Sequence, residues 1–217
     1  MENNKQEFIR FALTKGVLKF GEFKLKSGRI SPYFFDLGLF NSGQSIDCLG
    51  RFYAAALMAS TLEYDMLFGP AYKGISITTV LSSALARDYK IDIPFAFNRK
   101  ETKDHGEKGL IIGAPIEGRV LIVDDVITAG TAVSECARLI TDLGGTLAGI
   151  LISLDRQERG RENLSAVAEV SVKLSVPVIA IANLNDLIDL VESEKTAIKQ
   201  WLPKVKKYRD RYGVGVD

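Results

Sequence analysis

The sequence has almost no net charge to offer a polyanion: 28 Lys and Arg stand against 27 Asp and Glu over 217 residues. A nucleic-acid backbone or an anionic membrane surface therefore finds no overall field to bind, and any anion site has to be local. Cysteine is scarce. Cys48 and Cys136 are too few for a disulfide framework and lack the paired spacing of a zinc site, so both read as reduced, buried thiols. No uncharged apolar run reaches membrane-spanning length. Met1–Phe20 scatters charges where a signal peptide would carry an apolar stretch and a small-residue cleavage site. A cytoplasmic location, with no membrane and no nucleic-acid partner, is expected. Histidine occurs once, at His105.

What remains is ordinary globular material, 47% apolar and 25% charged, at a length that suits one α/β domain over 1–217. Residues 4–19 place Phe8, Ile9, Phe11, Ala12, Leu13 and Val17 at a roughly helical period, which predicts an entry helix ending before Phe20-Gly21. Phe23–Lys26 and Pro32–Asp36 flank the turn chemistry of Ser27-Gly28-Arg29, so a small β-rich flap or hood is expected within about residues 1–40. Arg51–Leu62 reads as a helix. Strand runs then alternate with helical stretches: Met66–Phe68, helix Ile75–Asp88, Ile93–Phe97, Val120–Val123, helix Thr131–Leu143, Thr146–Leu154 and Val176–Ala182. That alternation predicts an α/β fold with a central, mostly parallel sheet flanked by helices. The charged tail from Asp186 to Tyr212 is expected to be helical.

Arg119–Ala132 carries most of the chemistry. Four apolar residues, Val120–Val123, suit a buried parallel strand, and Asp124-Asp125 follow at its carboxyl end, where open α/β sheets bind ligands. Two buried carboxylates need partners; the hydroxyls of a sugar diol are one set and a divalent cation is another. Thr128-Ala129-Gly130-Thr131 then supplies a small-residue turn whose backbone N–H groups converge at a helix N-terminus, with two hydroxyls added, which favours a phosphate dianion. The helix behind it has an apolar stripe, Ala132, Val133, Cys136, Ala137, Ile140 and Leu143, with Gly144 placed to end it. Neither the Lys-Ser/Thr ending of a Walker loop nor the three glycines of a dinucleotide fingerprint is present in this run.

The same run resembles the phosphoribosyl diphosphate signature of type I phosphoribosyltransferases. Further segments are similar, in the same order, to the orotate phosphoribosyltransferase family: Phe20–Arg29, Ser31–Phe35, Gly69–Gly74, Asn98–Glu101 with Lys103–Gly106, and Ser153–Arg159. The resemblance extends to about residue 212. It implies transfer of ribose 5-phosphate from phosphoribosyl diphosphate to orotate with Mg²⁺, held mainly by the diphosphate and sugar hydroxyls and near Asp124 and Asp125. It also implies that Lys26, Tyr72, Lys73, Arg99, Lys100, Lys103 and His105 serve the diphosphate, that Val126, Ile127, Thr128, Ala129, Gly130, Thr131 and Ala132 complete the phosphate loop, and that Lys26 and Thr128 also touch the base. The implied assembly is a homodimer.

The residue types suit such a reaction. Asn98–Gly109 is dense in charge, contains Gly106 and Gly109 and lacks apolar periodicity, the marks of a lid rather than of packed structure; by resemblance it reaches the neighbouring subunit's site. Lid closure would exclude water and bring cations to the leaving pyrophosphate. His105, with a reference pKa of about 6.5, has the chemistry to carry a proton near neutrality. Orotate is a flat ring with a carboxylate, which calls for an aromatic wall, Phe34 and Phe35, and a guanidinium, Arg156, at the end of the strand Thr146–Leu154. A purine offers no such carboxylate. A phosphoribosyl diphosphate sensor bound to DNA or RNA would call for a basic face or an appended helix-turn-helix, and the charge balance supports neither. No fused decarboxylase domain is expected.

Overall fold

The computed structural model describes residues 2–25, 27–100, 109–128, 130–160, 164–193 and 197–214. Helix α1 (Glu2–Thr14) opens the chain. The expected helix through residue 19 is shorter than its apolar spacing suggested, because Gly16 takes a left-handed φ of 66° and turns the chain into strand β1 (Leu18–Lys24). β1 pairs antiparallel with β2 (Ile30–Phe35) to make the hood hairpin. Leu25 N–H donates to the Arg29 carbonyl and Gly28 N–H to the Leu25 carbonyl, both at 2.9 Å. Asp36 then caps a short 3₁₀ turn, Leu37–Leu39.

Helix α2 (Gly43–Met58) starts well before the expected Arg51, since Ser42 and Ser45 satisfy each other's backbone N–H groups in a capping box. Six strands follow: β3 (Met66–Gly69), β4 (Phe95–Asn98), β5 (Ile111–Gly113), β6 (Arg119–Val123), β7 (Thr146–Asp155) and β8 (Val178–Asn183). They form one sheet in the order β5-β4-β3-β6-β7-β8. Every pairing is parallel except β4 with β5. The helices between and after them are α3 (Lys73–Ala84, running into a π-type turn over Leu85–Tyr89), α4 (Thr131–Asp142), α5 (Ala166–Leu174), α6 (Leu184–Ser193) and α7 (Leu202–Tyr212). Edge strand β5 and helix α5 were not expected, and the helical tail is divided, with a 3₁₀ turn at Ala197–Trp201 before α7.

The sheet is buried on both faces, as parallel pairing requires. Alternate residues of β6 face opposite ways: Leu121 and Val123 join a core with Leu49, Tyr53, Leu67 and Leu151, while Val120 and Ile122 join a second core with Phe68, Ile150, Cys136 and Val170. Both cysteines are free; Cys136 is buried as expected, but Cys48 is only half-buried. Among the described residues no helix is long and apolar enough to cross a membrane.

Candidate active site

β3 and β6 lie side by side and parallel, so the loops after Gly69 and Val123 leave the sheet at one edge. The acidic pair is clamped through its backbone. Asp124 N–H donates to the Leu151 carbonyl at 3.0 Å, and the buried Tyr53 hydroxyl donates to the Asp124 carbonyl at 2.8 Å. The Asp125 carbonyl accepts from Ser153 N–H at 2.9 Å and from the Ser153 hydroxyl at 2.5 Å. Helix α2 and strand β7 thus fix the main chain of the pair.

Those carboxylates differ. Asp124 accepts only from the N–H of Asp125, at 2.9 Å among the described residues, and its carboxyl is pushed up to about 7 by burial, with the neighbouring Asp125 charge adding. Asp125 accepts from Val126 N–H at 2.8 Å through one oxygen and from Lys73 Nζ at 2.8 Å through the other. Lys73 also lies 3.6 Å from Asp36 Oδ1 at the end of the hood. Burial opposes the ammonium charge, yet Asp125 and Asp36 outweigh it and the Lys73 pKa is raised. It remains a half-exposed cation, 47% accessible at the side chain, where the hood, α3 and the acidic pair meet.

Lys73 is placed by close backbone packing. A Cβ on Gly69 would sit 2.3 Å from the Gly74 carbonyl oxygen, and one on Gly74 would meet Pro70 Cδ at 2.7 Å and the Val123 carbonyl oxygen at 2.9 Å. The loop between is tied to β4 by Ala71 N–H donating to Asn98 Oδ1 at 2.9 Å. Gly74→Ala is therefore expected to push the start of α3 away from β6, lowering stability by about 1–3 kcal/mol and raising KM for a diphosphate substrate; thermal melts beside steady-state kinetics check it.

The turn after the acidic pair is anchored by buried Ile127, while Thr128, Thr131 and Ala132 are exposed and Val126 is half-buried. Gly130, at φ 67°, stands before the first turn of α4 with its Cα facing Val170, where a Cβ would come within 2.4 Å of Val170 Cγ2. The first N–H groups of α4 are left for an anion. Behind this turn the Cys136 thiol is pushed up to about 12 by burial, with Asp124 adding, which favours its uncharged form.

At the base of the expected lid, β4 and β5 pair through Asn98 and Ile111, and Arg99 N–H donates to the Leu110 carbonyl at 2.7 Å. The two ends of 98–109 are thereby held together. Lys100 Nζ lies over the exposed Tyr72 ring, 4.6 Å from its centroid. Lys26, Lys103, His105 and Ala129 lie outside the described residues.

In the hood, Phe34 and Phe35 point to opposite faces of β2, as successive strand residues must. Phe34 is exposed and its ring lies 5.4 Å from that of Phe23, whereas Phe35 is half-buried with its ring 6.3 Å from that of Phe8. Arg156 follows β7 and lies over the Tyr33 ring, 4.2 Å from its centroid, with Nη2 donating to Ser31 Oγ at 3.1 Å. It is 11% exposed at the side chain. The clamp residues Tyr53, Ser153, Asn98 and Asp36 had no assigned role in the sequence reading; Ser153 and Asn98 lie inside the similar segments, whereas Tyr53 and Asp36 carry no local signal.

Residues 46–181 match the phosphoribosyl transferase domain family. Over 214 residues the chain is 58% identical to the orotate phosphoribosyltransferase of Yersinia enterocolitica serotype O:8, covering 99% of this chain and 100% of that one. The crystal structure of orotate phosphoribosyltransferase from Francisella tularensis is similar with a TM-score of 0.86 at 43% identity, over 95% of this chain and 99% of that chain. The Mycobacterium tuberculosis orotate phosphoribosyltransferase in complex with 5-phospho-α-D-ribosyl 1-diphosphate shares the fold at 22% identity, with a TM-score of 0.62 over 85% of this chain and 98% of that one.

Proposed function

Since the chain belongs to the orotate phosphoribosyltransferase family, we propose that it transfers ribose 5-phosphate from 5-phosphoribosyl 1-diphosphate to orotate, yielding orotidine 5′-monophosphate and diphosphate in pyrimidine synthesis. The reading rests on one juxtaposition. The acidic pair with its Lys73 cation follows β6, and the buried Arg156 follows the adjacent parallel strand β7. A sugar phosphate and a carboxylate-bearing base fit side by side along that edge.

In this reading Asp124 and Asp125 accept hydrogen bonds from the ribose hydroxyls, and the turn 126–132 holds the 5′-phosphate through backbone N–H groups and the Thr128 and Thr131 hydroxyls. As the C1–O bond breaks, positive charge grows on the sugar and negative charge on the departing diphosphate, so fixed cations near that group lower the barrier. Lys73 and Lys100 stand at the loop after β3 and the lid base; Lys26, Arg99, Lys103 and His105 belong to the same set. Arg156 holds the orotate carboxylate.

This reading includes a divalent ion carried mainly by substrate oxygens, with Asp124 and Asp125 alongside. Mg²⁺ so held would neutralise leaving-group charge. The proposal includes a cytoplasmic homodimer in which the lid of one subunit serves the other's site.

Arg156→Ala tests the base pocket. The loss of a charge-assisted pair is expected to raise KM for orotate about 30- to 300-fold, with KM for phosphoribosyl diphosphate within about twofold. An unchanged orotate KM would move the carboxylate's partner elsewhere.

A further inference from the structure

Arg156 is not placed by packing alone. Glu158 Oε1 accepts from Arg156 Nε at 2.7 Å and lies 2.6 Å from Nη2. The same oxygen accepts from the Tyr208 hydroxyl on α7 at 2.9 Å. Its other oxygen accepts from Arg29 Nη1 at 3.3 Å, and Arg29 Nη2 donates to the Arg159 carbonyl at 2.9 Å. Below the guanidinium, the Tyr33 ring is itself packed edge-on against Tyr208, with centroids 6.2 Å apart.

Nε and Nη2 are thus occupied, Nη2 by Glu158 and by Ser31 Oγ, and the plane is fixed by the ring beneath, which leaves Nη1 to meet a further carboxylate. Two guanidiniums around one Glu158 leave a single positive charge. A substrate with one carboxylate neutralises it, and a neutral base does not. The Asp155 carboxyl accepts from Gln157 N–H at 2.8 Å and pairs with neither guanidinium.

We propose that Glu158, held by Tyr208, is a positioning residue that aims Arg156 at the carboxylate of the base and sets the site's preference for a mono-anionic ring. This rests on the reading of Arg156 as the carboxylate's partner. A buried ion pair is poor value for stability alone, since its desolvation cost offsets its attraction. Its use here is to keep a cation inside the protein in one orientation until the substrate arrives.

Steady-state kinetics on Glu158→Gln, Tyr208→Phe and Arg156→Ala, alone and combined, test it. Glu158→Gln keeps the shape but turns an amide donor toward a guanidinium. It is expected to raise KM for orotate about 10- to 100-fold, and Tyr208→Phe, which keeps the ring, about 2- to 10-fold. KM for phosphoribosyl diphosphate is expected to stay within about twofold in both, which also certifies the fold. Adding Glu158→Gln to Arg156→Ala is expected to change orotate KM no further, since the two act as one unit. Equal rises in the two KM values, or full additivity with Arg156→Ala, overturns the positioning role while leaving the base pocket standing. If Arg156→Ala itself leaves orotate KM unchanged, the base-pocket reading fails and the inference falls with it.

Discussion

Replacing Lys73 with Ala is expected to lower kcat/KM for phosphoribosyl diphosphate by about 100- to 1,000-fold, the usual cost of removing one group aimed at charge that develops in the transition state. Two effects add. The ammonium stands where the loop after β3 meets the acidic pair, 2.8 Å from Asp125, and is the natural partner of a departing diphosphate. Its removal also leaves the Asp125 carboxylate, 15% exposed at the side chain, beside Asp124 without the counter-charge that holds it in place for the ribose hydroxyls. Lys73→Arg restores the charge but not the compact shape and should recover only part of the rate. Ultraviolet assay of orotate loss at varied phosphoribosyl diphosphate checks both variants. A Lys73→Ala enzyme within about threefold of wild type would remove this lysine from the proposed chemistry.

Asp124→Asn is expected to move stability and activity in opposite directions. The folded carboxyl titrates near 7 against an ordinary 3.8. A pKa raised by folding contributes stability that is fully present below the unfolded value and is lost as pH rises through the folded one. The free wild-type protein should therefore weaken between about pH 4 and pH 7, because burial and Asp125 both oppose the ionised form. The amide carries no such penalty. At pH 8 the variant should be more stable by about 2–4 kcal/mol, with the gap closing toward pH 4. Turnover at pH 8 should fall by about 100-fold, since an amide is a weaker acceptor for the ribose diol. Saturating phosphoribosyl diphosphate should narrow the stability gap by stabilising the ionised wild-type carboxyl. Chemical denaturation at pH 4.5, 6 and 8, with and without that ligand, measures it; a variant less stable than wild type at pH 8 would mean that Asp124 is stabilising when charged.

Much of the framework that carries this site is legible in the sequence. Val120–Val123 could be read as a buried strand because four apolar residues end abruptly at two carboxylates, and the helix from Thr131 because its apolar stripe is unbroken to Ile140. Local patterns of this kind are fixed by local physics. What escaped was set at long range or by single residues. β5 is only Ile111–Gly113, too short to show a period, and gains its partner from β4. Helix α5 is rich in Val, with Val167, Val170 and Val172, a composition that reads equally as strand, and Ser165 settles it by accepting from Ala168 N–H. Val17 and Leu18 continue the apolar run of α1, and only the backbone at Gly16 turns them into the hood. The pairing of Phe34 with Phe35 as one wall ignored strand alternation. Tyr53, Asp36 and Arg29 reach partners more than 70, 35 and 120 residues away along the chain respectively, distances over which a single sequence carries no contact information.

The most direct test of the central claim is a base panel: orotate, uracil, adenine and hypoxanthine, each with phosphoribosyl diphosphate and Mg²⁺, followed by absorbance change and product identity. The account predicts rapid turnover of orotate alone, with orotidine 5′-monophosphate and diphosphate formed in equal amounts. Turnover of another base in preference to orotate would leave the phosphate site standing and contradict the Arg156 pocket, and tight phosphoribosyl diphosphate binding without turnover of any base would contradict the assignment of the chain as a transferase.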